Sequence, residues 1–338
     1  MELLILLACH CGSKTDSNVE GAYIEKSEFK VYTTKTKSEN DTLGIYVFAE
    51  KADCKIVDTT IDVNSNECWT EGIFNYGNTK VSNTNVLVNN SYGTVQGIFN
   101  KANAMLSIEN SNMNVNSDYG SCYGIGNFGK SIISNTNIFT DASESTADGG
   151  NKAYSVGIAN KGELKFYSGS VYGTHSGIDN GTDGKLYVYG GTFDGFGHGG
   201  IYFAQGPNGE AYVENATLKS GEYNGKHDSN KFSDRHGGSF YIGSASNNKV
   251  YMDRCTLSSV SGPIGVLRGT GGETNNQLYI SNSTIENGKK IRIDGKNKLF
   301  VGKGMNVTEE DVTLSKDKNN YIPTFTEAVE FTNEEYKR

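Results

Sequence analysis

One opening phrase recurs along this chain and restricts what the chain can become more than any other feature. "GIFNYGNTKVSNTNVLV" begins at Gly72, "GIFNKANAMLSIENSNMNV" at Gly97, "GIGNFGKSIISNTNIFT" at Gly124, "GIANKGELKFYSGSVYG" at Gly157 and "GIDNGTDGKLYVYGGTFDG" at Gly177. Fainter copies open at Gly44, Gly200 and Gly265, and a copy from Ser239 has lost its glycine. The openings from Gly72 to Gly200 lie 25, 27, 33, 20 and 23 residues apart. A period near 25 that stretches and shrinks means short fixed strands joined by loops of variable length.

Each copy holds three apolar bursts. In the Gly177 copy, Ile178 and Asn180 share one face of a strand and Asp179 takes the other. Leu186 and Val188 repeat that pattern with Tyr187 outward, and Phe193 begins a third burst. The second burst aligns as apolar-x-apolar-x-x-small-[S/T/N]-apolar, as in "CKIVDTTI" from Cys54, "LSIENSNM" from Leu106, "AYVENATL" from Ala211 and "LYISNSTI" from Leu278. No single copy can bury its apolar face alone, so the copies must stack. The expectation is an all-β coil of about ten turns between Gly21 and Val307, with three short strands per turn and glycine turning the corners. Asn75, Asn100, Asn127, Asn160 and Asn180 fill the fourth place of five openings, which predicts an internal amide ladder. Asn83, Asn110, Asn135, Asn215 and Asn282 follow the second strand, where Asn tolerates a left-handed turn.

Columns of Asn, three strands per turn and this period resemble the right-handed parallel β-helix of the pectin-lyase-like superfamily. The wording G-I-x-N-x-G followed by L-x-[I/V]-x-[G/N]-[S/G]-[T/N] is most similar to adhesin-like and autotransporter-type bacterial surface repeats. The resemblance covers residues 21–308. It implies an extracellular or cell-surface protein that binds a polysaccharide or host surface glycan along its flank. It implies as alternatives a polysaccharide lyase or glycoside hydrolase, or a stalk that spaces other domains of a larger surface protein. Residues 1–20 read as an N-terminal cap or a lipoprotein-type signal with a lipid anchor at Cys9, and residues 309–338 as a cap or linker.

Composition narrows the partners. A formal net charge of -8 with no basic stripe argues against nucleic acid. No apolar run reaches the ~20 residues of a membrane helix. The six cysteines, Cys9, Cys11, Cys54, Cys68, Cys122 and Cys255, match no zinc spacing, and their pairing stays open. No metal site is expected and no cofactor, except Ca²⁺ were the chain a lyase; the second strands offer Ca²⁺ no close acidic pair.

Two groups of residues could carry function. His175, His198 and His236 fall near the same corner of successive turns, and the long insertion Ser220–Ser239 adds Asp234 and Arg235 there. Imidazoles beside Asp and Arg could perform acid–base work. The chain has Gly197-His198-Gly199, as polygalacturonase-type hydrolases do, but it lacks their N-T-D and D-D carboxylate motifs. The second group is the outward column Tyr187, Tyr212, Tyr251, Tyr279 and Phe300, preceded by Lys55, Lys80, Ser107, Ile132 and Lys165. Such rings could stack sugars, or they could stack on one another as a ladder.

Overall fold

The computed structural model describes residues 6–11, 22–33, 41–48, 50, 52–142, 155–203, 207–220, 238–243, 246–260, 264–267, 275–286, 291–293, 297–305, 307 and 311–314. The described residues form a right-handed parallel β-helix without an α-helix. Its 33 strands, β1 (Leu6–Cys11) to β33 (Val312–Leu314), deal themselves in rotation into three parallel sheets of 12, 11 and 10 strands, here A, B and C. Ten turns are complete, and sheets A and B run on beyond the tenth. Sheet A includes β1, in which Cys9 pairs with Ile45, and ends at β33, in which Val312 pairs with Ile291.

Every strand alternates, with one face filling the coil. Ile45, Ile73, Ile98, Ile125, Ile158 and Ile178 form one interior column on sheet A, all fully buried. Valines and isoleucines from sheets B and C meet them in one continuous core. Such burial is the main stabilising term for a solenoid, because no single turn encloses a core.

The opening glycines do not turn corners. Gly44, Gly72, Gly97, Gly124, Gly157 and Gly177 lie within sheet A strands, next to the interior isoleucines. A Cβ at Gly124 would stand 2.3 Å from Ile138 Cγ2 and 2.4 Å from the Gly157 carbonyl oxygen; a Cβ at Gly72 would stand 2.6 Å from both Val86 Cγ1 and the Gly97 oxygen. Glycine is required there because sheet C's side chains and the next turn's backbone already occupy the space. The copy at Gly265 differs. Gly265 pairs with Phe240, one residue out of step with the other openings, and a Cβ there would stand 2.0 Å from that ring.

The B–C corner is turned by single left-handed residues: Lys26, Asp58, Asn83, Asn110, Asn135, Asn215, Arg254 and Asn282, with φ between 43° and 52°. A small residue follows each. Thr59, Thr84, Ser111, Thr136 and Ser283 return their hydroxyls to the carbonyl two residues earlier at 2.7–2.9 Å. The small-residue place in the repeat is therefore a capped corner.

The A–B corner carries the amide ladder. Asn75, Asn100, Asn127 and Asn160 each donate to the next Asn at 2.8, 2.8, 2.8 and 2.6 Å, the last to Asn180, and all five are buried. The ladder ends there, and the same interior place then holds Phe203, Ile242, Leu267 and Ile293. A second ladder takes over across the corner, just before the sheet B strands. Asn248 Nδ2 donates to Asn276 Oδ1 at 3.0 Å, and Asn276 N–H donates to Asn297 Oδ1 at 3.0 Å. Where the first ladder stands, that second place is Gly or Ala: Gly77, Ala104, Gly129, Gly162 and Gly184. Volume and polarity are exchanged across the corner, and the core stays full in both halves.

Cys54, Cys68, Cys122 and Cys255 are buried. Burial pushes Cys255 up to about 12 and raises Cys122 as well, so neither thiol ionises near neutrality.

Candidate functional site in the outer face of sheet A

The outer face of sheet A has two columns. The first reads Leu43, Glu71, Gln96, Tyr123, Val156 and Ser176. The second is the variable place of G-I-x-N: Tyr46, Phe74, Phe99, Gly126, Ala159, Asp179, Tyr202 and Tyr241. Its aromatic members pack tightly, with ring centroids 5.3 Å apart for Tyr46 and Phe74, 4.9 Å for Phe74 and Phe99, and 5.2 Å for Tyr202 and Tyr241. Between the two aromatic runs stand a glycine, an alanine and a carboxylate. The face is therefore indented where the column is interrupted.

That indentation is a cleft of about 270 Å³. Gln96, Tyr123, Gly126, Val156, Ala159 and Asp179 floor it, with Trp69, Thr94 and Ser121 along one side and Phe128 and Lys161 along the other. It runs along the coil axis, and three strand steps of ~4.8 Å put Gln96 and Asp179 roughly 14 Å apart. Trp69 and Phe128 are exposed at 48% and 40%, so both rings offer surface. Lys161 Nζ lies 5.6 Å from the Phe128 ring centroid, a cation–π contact on the rim. Next to Trp69, Glu71 is buried, and burial with nearby Asp41 holds its carboxyl well above the usual range, partly offset by hydrogen bonding to Trp69.

Two oxygens in the floor are buried and accept no hydrogen bond from any described residue: Gln96 Oε1 and Asp179 Oδ1. Gln96 is 6% exposed, and its Oε1 lies 3.2 Å from where a Cβ on Gly126 would stand, so it aims along the cleft floor. Burial pushes the Asp179 carboxyl up to about 7, and Lys161 draws it part of the way back. Buried oxygens without donors are uncommon, since each one costs the desolvation of a polar group.

The sequence-predicted residues fall elsewhere. His175 and His198 do meet, with ring centroids 4.1 Å apart, joined by a His198 N–H bond to the His175 carbonyl. Their stack continues through Tyr202 to Tyr241, with His198 4.3 Å and 5.2 Å from the two rings. His175 is buried and packs with aromatics, and Thr174 beside it donates to Asp141 at 2.9 Å. His236, Asp234 and Arg235 lie outside the described residues. Among the described residues no three His, Cys, Asp or Glu side chains converge as metal ligands.

The column Tyr187, Tyr212, Tyr251, Tyr279 and Phe300 is continuous on sheet B. Its rings stack nearly flat, with centroids 5.7, 4.8, 4.8 and 4.3 Å apart and planes within 9°. Burial, with Tyr212 and Tyr279 beside it, pushes the Tyr251 hydroxyl to about 12. Tyr187 is buried, since Tyr212 covers one face and Lys165 Nζ sits 5.7 Å from its ring centroid. Each interior ring thus spends both faces on its neighbours.

The cleft was missed in sequence because the eye follows what repeats. The signal was the opposite: reading the x of G-I-x-N down the copies gives Tyr, Phe, Phe, Gly, Ala, Asp, Tyr, in which three of seven break the aromatic rule. No family model, curated protein or solved structure matches this chain.

Proposed function

We propose that this protein is a non-catalytic glycan-binding β-helix of a cell surface or the extracellular space, and that its binding site is the sheet A cleft. The observation that carries this reading is the pairing of exposed aromatic rims with two donorless oxygens in one indentation. Sugars have apolar C–H faces that pack on rings such as Trp69 and Phe128, and hydroxyls that donate to oxygens such as Gln96 Oε1 and Asp179 Oδ1. The rigid coil supplies a pre-formed site, which lowers the ordering cost of binding. The resemblance of the repeat to adhesin-like surface proteins supports the location. The sheet B stack serves in this reading as a structural ladder.

A second reading, a polysaccharide-degrading enzyme, has one observation in its favour. A carboxyl raised to about 7 in a cleft is suited to general acid work. Glycoside hydrolysis also needs a second carboxylate within about 10 Å. Among the described residues, those lining the cleft include Asp179 and no other carboxylate, and Glu71 lies four strand steps away, roughly 19 Å along the axis.

One experiment separates the readings. The protein is incubated with a panel of neutral and acidic polysaccharides, with and without Ca²⁺, and both retention and new reducing ends are followed. Retention without release is expected. Release that vanishes in Asp179→Asn or in His198→Ala would replace the binding reading with the enzymatic one.

A further inference from the structure

We infer that the cleft selects an uncharged, hydroxyl-rich polysaccharide segment over an acidic one; this rests on the glycan-binding reading and names the class of ligand. The argument is a count of what the cleft lacks. Its two unsatisfied atoms, Gln96 Oε1 and, once the carboxyl is ionised above about pH 7, Asp179 Oδ1, are both acceptors, so the missing partners are donors. A sugar hydroxyl is a donor. A uronate carboxylate or a sulfate ester is acceptor-only and would face these oxygens with lone pair against lone pair.

Charge points the same way. Among the described residues the one cationic side chain lining the cleft is Lys161, and it already acts on Asp179 and on the Phe128 ring. An acidic chain laid along the cleft would meet one shared ammonium and one carboxyl. Recognition of repeated anions uses several Lys or Arg side chains, and Arg in particular for its bidentate fit. The other lining side chains, Trp69, Thr94, Ser121, Tyr123, Val156 and Phe128, are uncharged. Gln96 Oε1 reaches to Gly126, two strand steps or roughly 10 Å along the axis from Asp179, so the two oxygens face different hydroxyls of the ligand.

The separation of the two oxygens, with rings between and beside them, fixes how the segment is held. Hydroxyls near each end bond to Gln96 and Asp179, and the C–H faces between them pack on Tyr123 and the rim rings. Each hydrogen bond to a previously unsatisfied oxygen restores a group that folding left without a partner.

The test is affinity electrophoresis of the folded protein through gels containing galactomannan, xyloglucan, hydroxyethyl cellulose or polygalacturonate, at low ionic strength. The variants are Gln96→Met, Asp179→Val, Lys161→Met and Ala159→Phe, each first checked for an unchanged thermal transition. The expected result is retardation by at least one uncharged polymer. Gln96→Met and Asp179→Val should each weaken it about tenfold, the order of one lost hydrogen bond. Ala159→Phe, which fills the gap in the column, should abolish it. Should Asp179→Val fail to fold, Gln96→Met and Ala159→Phe carry the test alone. Retardation by polygalacturonate only, lost in Lys161→Met, would overturn the inference and leave the glycan-binding reading standing. Absence of retardation by any polymer would overturn that reading itself.

Discussion

The outer faces of sheets A and B both carry an aromatic column, and the two columns differ in one respect. On sheet B the run from Tyr187 to Phe300 is unbroken, and every ring is stacked within 5.7 Å of the next. On sheet A the column stops after Phe99 and resumes at Tyr202, with Gly126, Ala159 and Asp179 between. A complete column consumes its own ring faces and leaves edges. An interrupted one leaves a hole bounded by rings. In a solenoid, where every turn inherits the same register, a cleft is made by omission.

The comparison can be broken most severely beneath the cleft. Asn127 lies inside the coil next to Gly126, accepting from Asn100 and Ser131 and donating to Asn160 and the Glu163 carbonyl. Asn127→Ala removes all four bonds from a fully buried layer and should cost about 3 kcal/mol or more in denaturant unfolding. It should also abolish binding, because the sheet A backbone that floors the cleft loses its fixed register. Loss of less than about 1 kcal/mol would mean that water replaces the amide, and that the ladder contributes little.

Next in size is the sheet B stack. Tyr251 is held between Tyr212 and Tyr279 at 4.8 Å on both sides. Tyr251→Ala should cost about 2 kcal/mol, from two ring–ring contacts and the buried area around them. Its glycan affinity should equal wild type. A variant that keeps its stability and loses binding would move the binding surface from sheet A to sheet B.

These two positions also mark how far the chain could be read without coordinates. The Asn127 layer was legible because an amide in the fourth place of five openings is a repeated polar residue at an interior register. The left-handed Asn column was legible for the same reason. The transfer of the ladder to Asn248, Asn276 and Asn297 was not, because it depends on which side chain fills the corner from the opposite side. Ile242 and its successors stand in the old place opposite Asn248 and its successors in the new one, while Phe203, in the turn between the two ladders, stands opposite Gly209. The glycine's role was misjudged on similar grounds. A corner glycine and a glycine crowded by Ile138 and the Gly157 oxygen look alike in one dimension. The cleft depends on three missing rings, and pattern matching registers presence more readily than omission.

A smaller effect sharpens the comparison at its centre. Ala159 projects from the gap between Phe99 and Tyr202, and Ala159→Phe should extend the aromatic column across it. Stability should hold or rise slightly, since the ring gains neighbours on a half-buried face. A folded Ala159→Phe that binds as wild type does would separate the binding surface from the interruption.

The smallest expected effect is the most specific, because it concerns one proton. Burial raises the Asp179 carboxyl to about 7 in the folded chain, against an ordinary value of 3.8. A carboxyl whose folded value is raised favours the fold when it is protonated. Its contribution is therefore complete at pH below the ordinary value and is lost as pH rises through about 7. Wild type should melt at progressively lower temperature than Asp179→Asn as pH is raised from about 4 to about 7 and the gap should then stay level, since the amide keeps the shape and cannot ionise. The difference curve between the two should bend near pH 7. A bound hydroxyl donor favours the ionised form, so saturating neutral glycan should move that bend to lower pH. A difference curve flat from pH 5 to 9 would mean the carboxylate is already satisfied in the apo fold. Asp179 would then be an ordinary surface acid, and the interruption in sheet A would offer one open acceptor, Gln96, instead of two.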